Sequence, residues 1–99
     1  MQYLFIILRI ITSGYYDQRD QIRGAAVSIA GNIVEGEASS TDKNDIHYFY
    51  IARASAAEVF TQAIIAFEIG YLSKEDFIQI ESTTDNISKM LITLIKSKL

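Results

Sequence analysis

The sequence predicts an all-α fold made of four helices. The chain has 99 residues, no proline and five glycines, so it has few of the residues that most often interrupt helices or form tight turns. Apolar residues recur at spacings of three and four positions in several segments, as they do along a helix face. With 49% hydrophobic residues, the chain can bury one core but not two. The expected organisation is therefore a single domain over residues 1–99.

The first predicted helix covers residues 3–11 and ends near Ser13 and Gly14. It is apolar on nearly every face, so it should be either the innermost helix or part of a contact between copies. The segment is well short of the ~20 apolar residues that span a membrane, and Arg9 interrupts it. No basic residue precedes it to begin a signal peptide. We therefore expect no membrane span, and a cytoplasmic protein. The absence of cysteine fits a reducing compartment.

The second predicted helix runs from about Asp17 to Glu35. Gly24 and Gly31 lower its helix propensity, which indicates that a neighbouring helix packs closely there. Gly36 is expected to end the helix in the left-handed conformation common at the C′ position. The apolar stripe is expected to comprise Ile22, Ala25 or Ala26, Ile29 and Ile33, widened by Val27 and Val34.

The third predicted helix runs from about Thr41 to Ile69 and should extend on the order of 40 Å at 1.5 Å per residue. Ser39 or Ser40 is the expected hydroxyl cap at its start, and Gly70 is expected to end it. The connection to the preceding helix is short, so these two helices should be antiparallel neighbours. The inner face is expected to comprise Ile46, Phe49, Tyr50, Ala56, Ala57, Phe60, Ile64 and Phe67.

The fourth predicted helix begins after Ser73, a hydroxyl cap followed by early acidic residues. Thr83 and Thr84 interrupt its apolar pattern. Its apolar positions are Phe77, Ile80, Ile87, Leu91, Leu94 and Ile95.

The net charge is −3, and it is unevenly distributed. Residues 17–85 contain all twelve acidic residues, whereas residues 86–99 contain Lys89, Lys96 and Lys98 and no acid. These three lysines are candidates for contact with RNA or DNA, because cationic side chains that neutralise phosphates supply much of nucleic-acid affinity. The alternative is that they favour the C-terminus of the last helix.

Catalytic, cofactor and metal motifs are absent from the sequence. His47 is the sole histidine, and Asp45, two residues away, does not share its helix face. The Glu-x-x-His pattern of di-metal bundles is missing, as are phosphate-binding loops and HExxH. We therefore expect no enzyme activity, no cofactor, no metal and no small-molecule substrate.

Several polar residues interrupt the helical apolar pattern where a plain bundle needs none. A turn centred near Ala38 would bring Arg23 within reach of Glu58 across the hairpin, and such a pair would fix helix register or form part of a binding site. Asn32 and Glu35 are expected to bond backbone amides of the loop. Arg53 is expected to face a neighbouring subunit. The full predicted polar network comprises Arg23, Asn32, Glu35, Arg53, Ser55 and Glu58.

From about Asp20 to Leu99 the chain resembles the proteins encoded in intervening sequences of bacterial 23S ribosomal RNA genes. The resemblance is carried by segments 21–29, 32–36, 51–55, Glu58, 70–72 and the closing pairs 90–91 and 94–95. It implies an antiparallel up-down four-helix bundle that assembles into a ring, expected to be a pentamer. It also implies kinship with accessory proteins of diversity-generating retroelements, basic bundles that bind nucleic acid and a reverse transcriptase.

Two departures from the family pattern affect these expectations. The family has an aromatic glycine-arginine segment where this chain has Glu37-Ala38-Ser39, so a basic position is lost. The family also opens with a longer amphipathic helix, so the first helix is shortened here or the start of the gene was altered. The leading hypothesis is a non-enzymatic, ring-forming bundle of this family whose cellular role is unresolved, with RNA or a mobile element as the candidate link. The alternative is a protein-interaction scaffold with no nucleic-acid contact, favoured by the acidic surface.

Overall fold

The computed structural model describes Ile6 and residues 19–99. The described residues form three helices, α1 (Arg19–Ala38), α2 (Asp42–Glu68) and α3 (Lys74–Ser97), and contain no strand. The all-α prediction is therefore confirmed. The predicted helix over residues 3–11 lies outside the described residues except at Ile6, which is helical and packs half-buried against the core.

The three helices run antiparallel in sequence order. Between α1 and α2, Gly36 lies beside Phe49 close to the turn, and Ser28 bonds Ser55 farther from the turn. An earlier residue of α1 thus contacts a later residue of α2, as in any antiparallel pair. Between α2 and α3, Phe67 stacks on Phe77 near one end and Asp45 meets Lys98 at the other. Both α1 and α3 pack on α2, but not on each other.

The long predicted third helix is α2, with 27 residues. The longest dimension of the molecule is 43 Å, which agrees with the length expected for this helix. Thr41 caps its start, because the Asn44 amide donates to Thr41 Oγ1 at 3.2 Å. The prediction that Ser39 or Ser40 would be this cap is wrong by one or two positions.

Gly70 ends α2 as predicted, with a positive φ of 83°. The amide of Gly70 donates to the carbonyl of Phe67, and the amide of Tyr71 donates to the carbonyl of Ala66. This pair of bonds is the Schellman arrangement, which satisfies carbonyls left free at a helix end. Ser73 then caps α3 by accepting a bond from the Asp76 amide at 3.1 Å, also as predicted.

The end of α1 differs from the prediction. Gly36 lies within the helix, which continues to Ala38, and its φ is not positive. The reason is tertiary: Gly36 is the point at which the Phe49 ring approaches the α1 backbone. The turn to α2 is therefore residues 39–41, later than the predicted turn near Ala38, and the two helices pair with Gly36 level with Phe49 and Ser28 level with Ser55.

The core contains most of the predicted apolar stripes. The predicted α1 positions Ile22, Ala25, Ala26, Ile29 and Ile33 are all buried. In α3, Ile80, Ile87, Leu91 and Ile95 are buried, while Phe77 and Leu94 pack against the core half-buried. Thr83 and Thr84 are also buried, and each hydroxyl donates to the carbonyl four residues earlier.

The inner face of α2 is narrower than predicted, and its side chains are smaller. Tyr50, Ala57 and Ile64 were expected inside but are exposed, whereas Phe49 and Ala56 are buried as expected. Because α2 has a helix on each of two sides, small side chains allow both to approach its backbone. The buried apolar residues that the pattern missed are Ala52, Val59, Ala63 and Ala66.

Candidate functional site

Ser28, Asn32 and Ser55 form a chain of hydrogen bonds between α1 and α2. The Ser55 hydroxyl donates to the Ile51 carbonyl at 3.1 Å, so the Ser28 hydroxyl donates to Ser55 Oγ at 2.8 Å because each hydroxyl has one proton. Asn32 Nδ2 donates to both Ser28 Oγ, at 3.1 Å, and the Ser28 carbonyl, at 2.8 Å. Asn32 was expected to bond loop amides and instead joins this interhelical chain, which fixes the register of the two helices.

The other members of the predicted polar network lie on the surface. Arg23, Glu35, Arg53 and Glu58 are exposed, and the structure records no ion pair for any of them within residues 19–99. The expected pair of Arg23 with Glu58 is not formed. With Gly36 level with Phe49 and Ser28 level with Ser55, Arg23 lies level with about Thr61 rather than Ala54, so the register that predicted this pair was wrong.

An ion pair with a buried carboxylate, which the sequence pattern did not predict, joins the start of α2 to the end of α3. Asp45 is 5% exposed, and its Oδ2 lies 3.1 Å from Lys98 Nζ. Its other oxygen, Oδ1, is buried without a hydrogen-bond partner. The carboxylate lies in the first turn of α2, where the helix dipole favours negative charge. The hydrogen bond from Lys98 to Asp45, together with their charge attraction, raises the pKa of Lys98.

The three candidate lysines for nucleic-acid contact differ in their surroundings. Lys89 pairs with Asp85 at 2.9 Å on the exposed face of α3. Lys98 pairs with Asp45 and lies 3.8 Å from Asp42. Lys96 is exposed in the last turn of α3 and has no ion pair with the described acids. Intramolecular carboxylates therefore neutralise two of the three charges.

The exposed side of α1 is apolar, which the sequence pattern did not predict. Val27 and Val34, expected in the core stripe, are 57% and 61% exposed. Gly24 and Gly31 have no described atom within 4 Å of an added β-carbon, so packing among residues 19–99 does not explain them. With exposed Ala38, these residues recur every three and four positions opposite the buried face. We call them the α1 seam: Gly24, Val27, Gly31, Val34 and Ala38.

A second exposed apolar surface lies between α2 and α3. It is an open groove of about 600 Å³ whose apolar lining includes Ala57, Phe60 and Ile78. Glu81 and Asp85 supply acidic groups on the α3 side. The groove continues past Ala57 to Tyr50, Arg53, Ala54 and Ser88. We call the whole depression the α2–α3 groove.

Neither surface has the side chains of a metal centre. The residues that the structure describes contain no group of three or more histidine, cysteine, aspartate or glutamate residues that could hold a metal ion. His47 is exposed on α2. None of the three described helices is long and apolar enough to cross a membrane.

Comparison with protein families decides the family of the chain. The model of the 23S rRNA-intervening sequence protein family matches residues 8–93. The chain belongs to this family. A crystal structure from Bacteroides thetaiotaomicron VPI-5482, of a protein with unknown function from the S23 ribosomal protein family, has the same fold. Its TM-score is 0.81 at 23% sequence identity, and the match covers 94% of this chain and 88% of the other. No match was found among curated proteins.

The six residues of the predicted polar network divide into two groups. Asn32 and Ser55 belong to the interhelical hydrogen-bond chain through Ser28. The other four are charged and exposed: Arg23, Glu35, Arg53 and Glu58. Both groups were predicted as one network, because their positions were inferred from spacing along the chain and not from which side of each helix is exposed. The seam was readable from its heptad spacing, and the Asp45–Lys98 pair had no local signal.

Proposed function

We propose that this 23S rRNA-intervening sequence protein acts without catalysis, as a homo-oligomeric helical scaffold. The α1 seam carries the proposal. A helix in a monomer needs one apolar face, but α1 has a buried apolar face and an exposed apolar seam on opposite sides. Exposed apolar surfaces of this kind mark sites of association. The occupant of such a surface is a second protein surface, and a second copy is always present at equal concentration.

The proposed protomer is an up-down four-helix bundle. Ile6 is helical and packs against the core, and α1 and α3 lie on α2 without approaching each other. The first predicted helix would complete the layer between α1 and α3, and the helical, half-buried Ile6 is the observation that favours it. The family resemblance favours assembly into a ring of five such protomers in the cytoplasm.

Light scattering coupled to size-exclusion chromatography tests the assembly. The parent protein is expected to have the mass of an oligomer, and Val34→Lys is expected to shift it towards the monomer. Ile69→Lys is the matched control, since Ile69 is also exposed and near a helix C-terminus but lies off the seam. Circular dichroism should show both variants folded. A parent protein that remains monomeric at high concentration would refute the scaffold.

A second candidate function is association with RNA or DNA. The observation that favours it is the acid-free segment 86–99, in which Lys96 stays exposed. The kinship with retroelement accessory proteins that the family resemblance implies points the same way. Gel shifts with structured RNA and duplex DNA at two salt concentrations test this function. Binding that weakens steeply with salt and loses part of that slope in Lys96→Gln would support it. Absence of binding by an intact oligomer would leave the protein-scaffold function.

A further inference from the structure

The α1 seam and the α2–α3 groove lie on different sides of the molecule, and each lacks a cover in the described structure. We propose that the α1 seam of one copy packs into the α2–α3 groove of the next copy. This proposal rests on the proposed homo-oligomer and names the surfaces that build it. A contact between two different patches is heterologous, and repetition of a heterologous contact closes a ring when the rotation between copies allows it.

The shape of the seam suits a helix that enters a groove. Its residues follow the spacing of the apolar positions of a heptad, which form the contact line between paired helices. Gly24 and Gly31 project no side chain, and Val27 and Val34 project short ones. The α1 backbone can therefore lie close to the floor of the groove at Ala57 and Ala54. The exposed ring of Tyr50 and the exposed Ile78 would be covered at its two ends.

Charged residues that have no ion pair within residues 19–99 fix the direction of docking. Arg23 and Glu35 flank the seam on opposite sides at its two ends, by the 3.6-residue turn of the helix. In the groove, Glu81 lies on α3 and Arg53 on α2, also towards opposite ends. When α1 of one copy lies parallel to α3 of the next, Arg23 approaches Glu81 and Glu35 approaches Arg53. The reverse direction brings like charges together.

The spacing of these charges is compatible with the contact. Arg23 and Glu35 are separated by about 18 Å along α1. In the groove, Arg53 lies beside Ser88 of α3, and Glu81 and Ser88 are separated by about 10 Å along α3. Two long arginine side chains, whose stems can lie along apolar surface, span the difference. In this direction each charge also faces its partner. Arg23 lies on the side of the seam that faces α3, which carries Glu81, and Glu35 lies on the side that faces α2, which carries Arg53.

A ring whose axis is parallel to the helices requires the same direction that the charges select. Rotation about an axis parallel to the helices keeps α1 pointing the same way in every copy, so α1 of one copy runs parallel to α3 and antiparallel to α2 of its neighbour. A contact between two α1 seams would be isologous, so it would join copies only in pairs. It would also leave the apolar groove uncovered. The heterologous contact covers both apolar surfaces of every copy with one interface.

Cysteine cross-linking tests the contact directly, because the chain contains no native cysteine. Val27→Cys places a thiol on the seam, and Ala57→Cys places one in the groove. After treatment of the native protein with a short bis-maleimide, denaturing gels of the double variant should show a ladder of covalent multimers. The top of the ladder gives the number of copies in the ring. Each single variant should remain monomeric on the same gel.

Three results would overturn the proposal, and they differ in what else they overturn. Dimers formed by Val27→Cys alone would show a seam-to-seam contact. An intact oligomer by light scattering with no cross-link in the double variant would show that other surfaces build the assembly. A monomer by light scattering would overturn the homo-oligomer itself, and this interface with it.

A charge exchange provides an independent readout. Arg23→Glu and Glu81→Arg should each raise the concentration needed for assembly severalfold, and the double variant Arg23→Glu/Glu81→Arg should restore parent behaviour. Lys43→Glu is the control, because Lys43 is exposed and lies off both surfaces. A double variant that assembles no better than the worse single variant would exclude a contact between these two positions.

Discussion

The ring of Phe49 packs directly against the backbone of Gly36. A β-carbon built at position 36 would lie 2.5 Å from Cε1 and 2.8 Å from Cδ1 of the ring. Phe49 is 1% exposed, so its ring is enclosed by the core and has little room to move away. Gly36 therefore allows α1 and α2 to approach beside their turn, although it lies within a helix.

This contact predicts opposite effects for two glycine substitutions on the same helix. Gly36→Ala should lower the free energy of unfolding by about 1–3 kcal/mol, because overpacking outweighs the better helix propensity of alanine. In the unassembled protomer, Gly24→Ala should raise it by up to about 1 kcal/mol, since no described atom lies within 4 Å of an added β-carbon there. Urea unfolding followed by circular dichroism, at protein concentrations too low for assembly, measures both. Equal shifts in the two variants would contradict the close approach at Gly36.

Substitutions of Gly70 should change the free energy of unfolding by a smaller amount, because their effect comes from backbone conformation and not from packing. Its φ of 83° lies in the left-handed region, which costs residues with a β-carbon about 1–2 kcal/mol. Gly70→Ala should therefore reduce the free energy of unfolding by about that amount. Gly70→Asn should be milder, because asparagine tolerates this conformation better. Thermal unfolding of both variants measures the order, and an alanine variant as stable as the parent would contradict the assigned backbone conformation.

The hydroxyl contact between Ser28 and Ser55 predicts energetic coupling across the hairpin. A net hydrogen bond contributes about 0.5–1.5 kcal/mol, so the single variants Ser28→Ala and Ser55→Ala should not be additive. The double-mutant cycle should give a coupling energy within that range. Thr61 supplies the control, since its hydroxyl bonds the carbonyl of Ala57 in its own helix. Thr61→Ala combined with Ser28→Ala should be additive.

The pair of Lys98 with Asp45 predicts loss of stability at alkaline pH. The hydrogen bond to Asp45 and its charge, with smaller contributions from Asp42 and Glu37, raise the pKa of Lys98 above its ordinary 10.5. The folded state therefore holds this proton more tightly than the unfolded state. The stabilisation is complete below pH 10.5 and is lost as pH rises through the folded-state pKa.

Lys98→Met should accordingly be less stable than the parent at neutral pH, with a difference that shrinks in strongly alkaline solution. Chemical unfolding at a series of pH values measures this difference, and the titration of other lysines cancels in the comparison. Lys89→Met is the control, because both members of the Lys89–Asp85 pair are exposed and such pairs contribute little. A difference that persists unchanged at alkaline pH would contradict the pairing.

Local signals in the sequence predicted the helices and most of their ends. Gly70 and Ser73 act through bonds to residues three to five positions away, so their roles are readable from neighbouring residues. Gly36 was misread because its role depends on Phe49, which local capping patterns do not include. That single error moved the predicted turn and produced the Arg23–Glu58 pair that the structure lacks.

Tertiary contacts explain the other differences between sequence and structure. Hydrophobic size favoured Tyr50 and Ile64 as core residues of α2, but a helix flanked on two sides buries its alanines instead. Asp45 and Lys98 are 53 positions apart, and no spacing rule connects them. Of the candidate site, the sequence therefore identified the residues Asn32 and Ser55 but not the chain of bonds that joins them.

The arrangement of α1 and α3 on either side of α2 has a consequence for how the chain folds. Because these two outer helices have no close backbone contact with each other, each packs chiefly on α2, its neighbour in the chain. The hairpins α1–α2 and α2–α3 can therefore each form without a distant segment, which keeps the entropy of loop closure small. Proteins with such local contacts fold in about microseconds to milliseconds. A protomer of this kind reaches its folded state well before dilute copies meet, so folding should precede assembly.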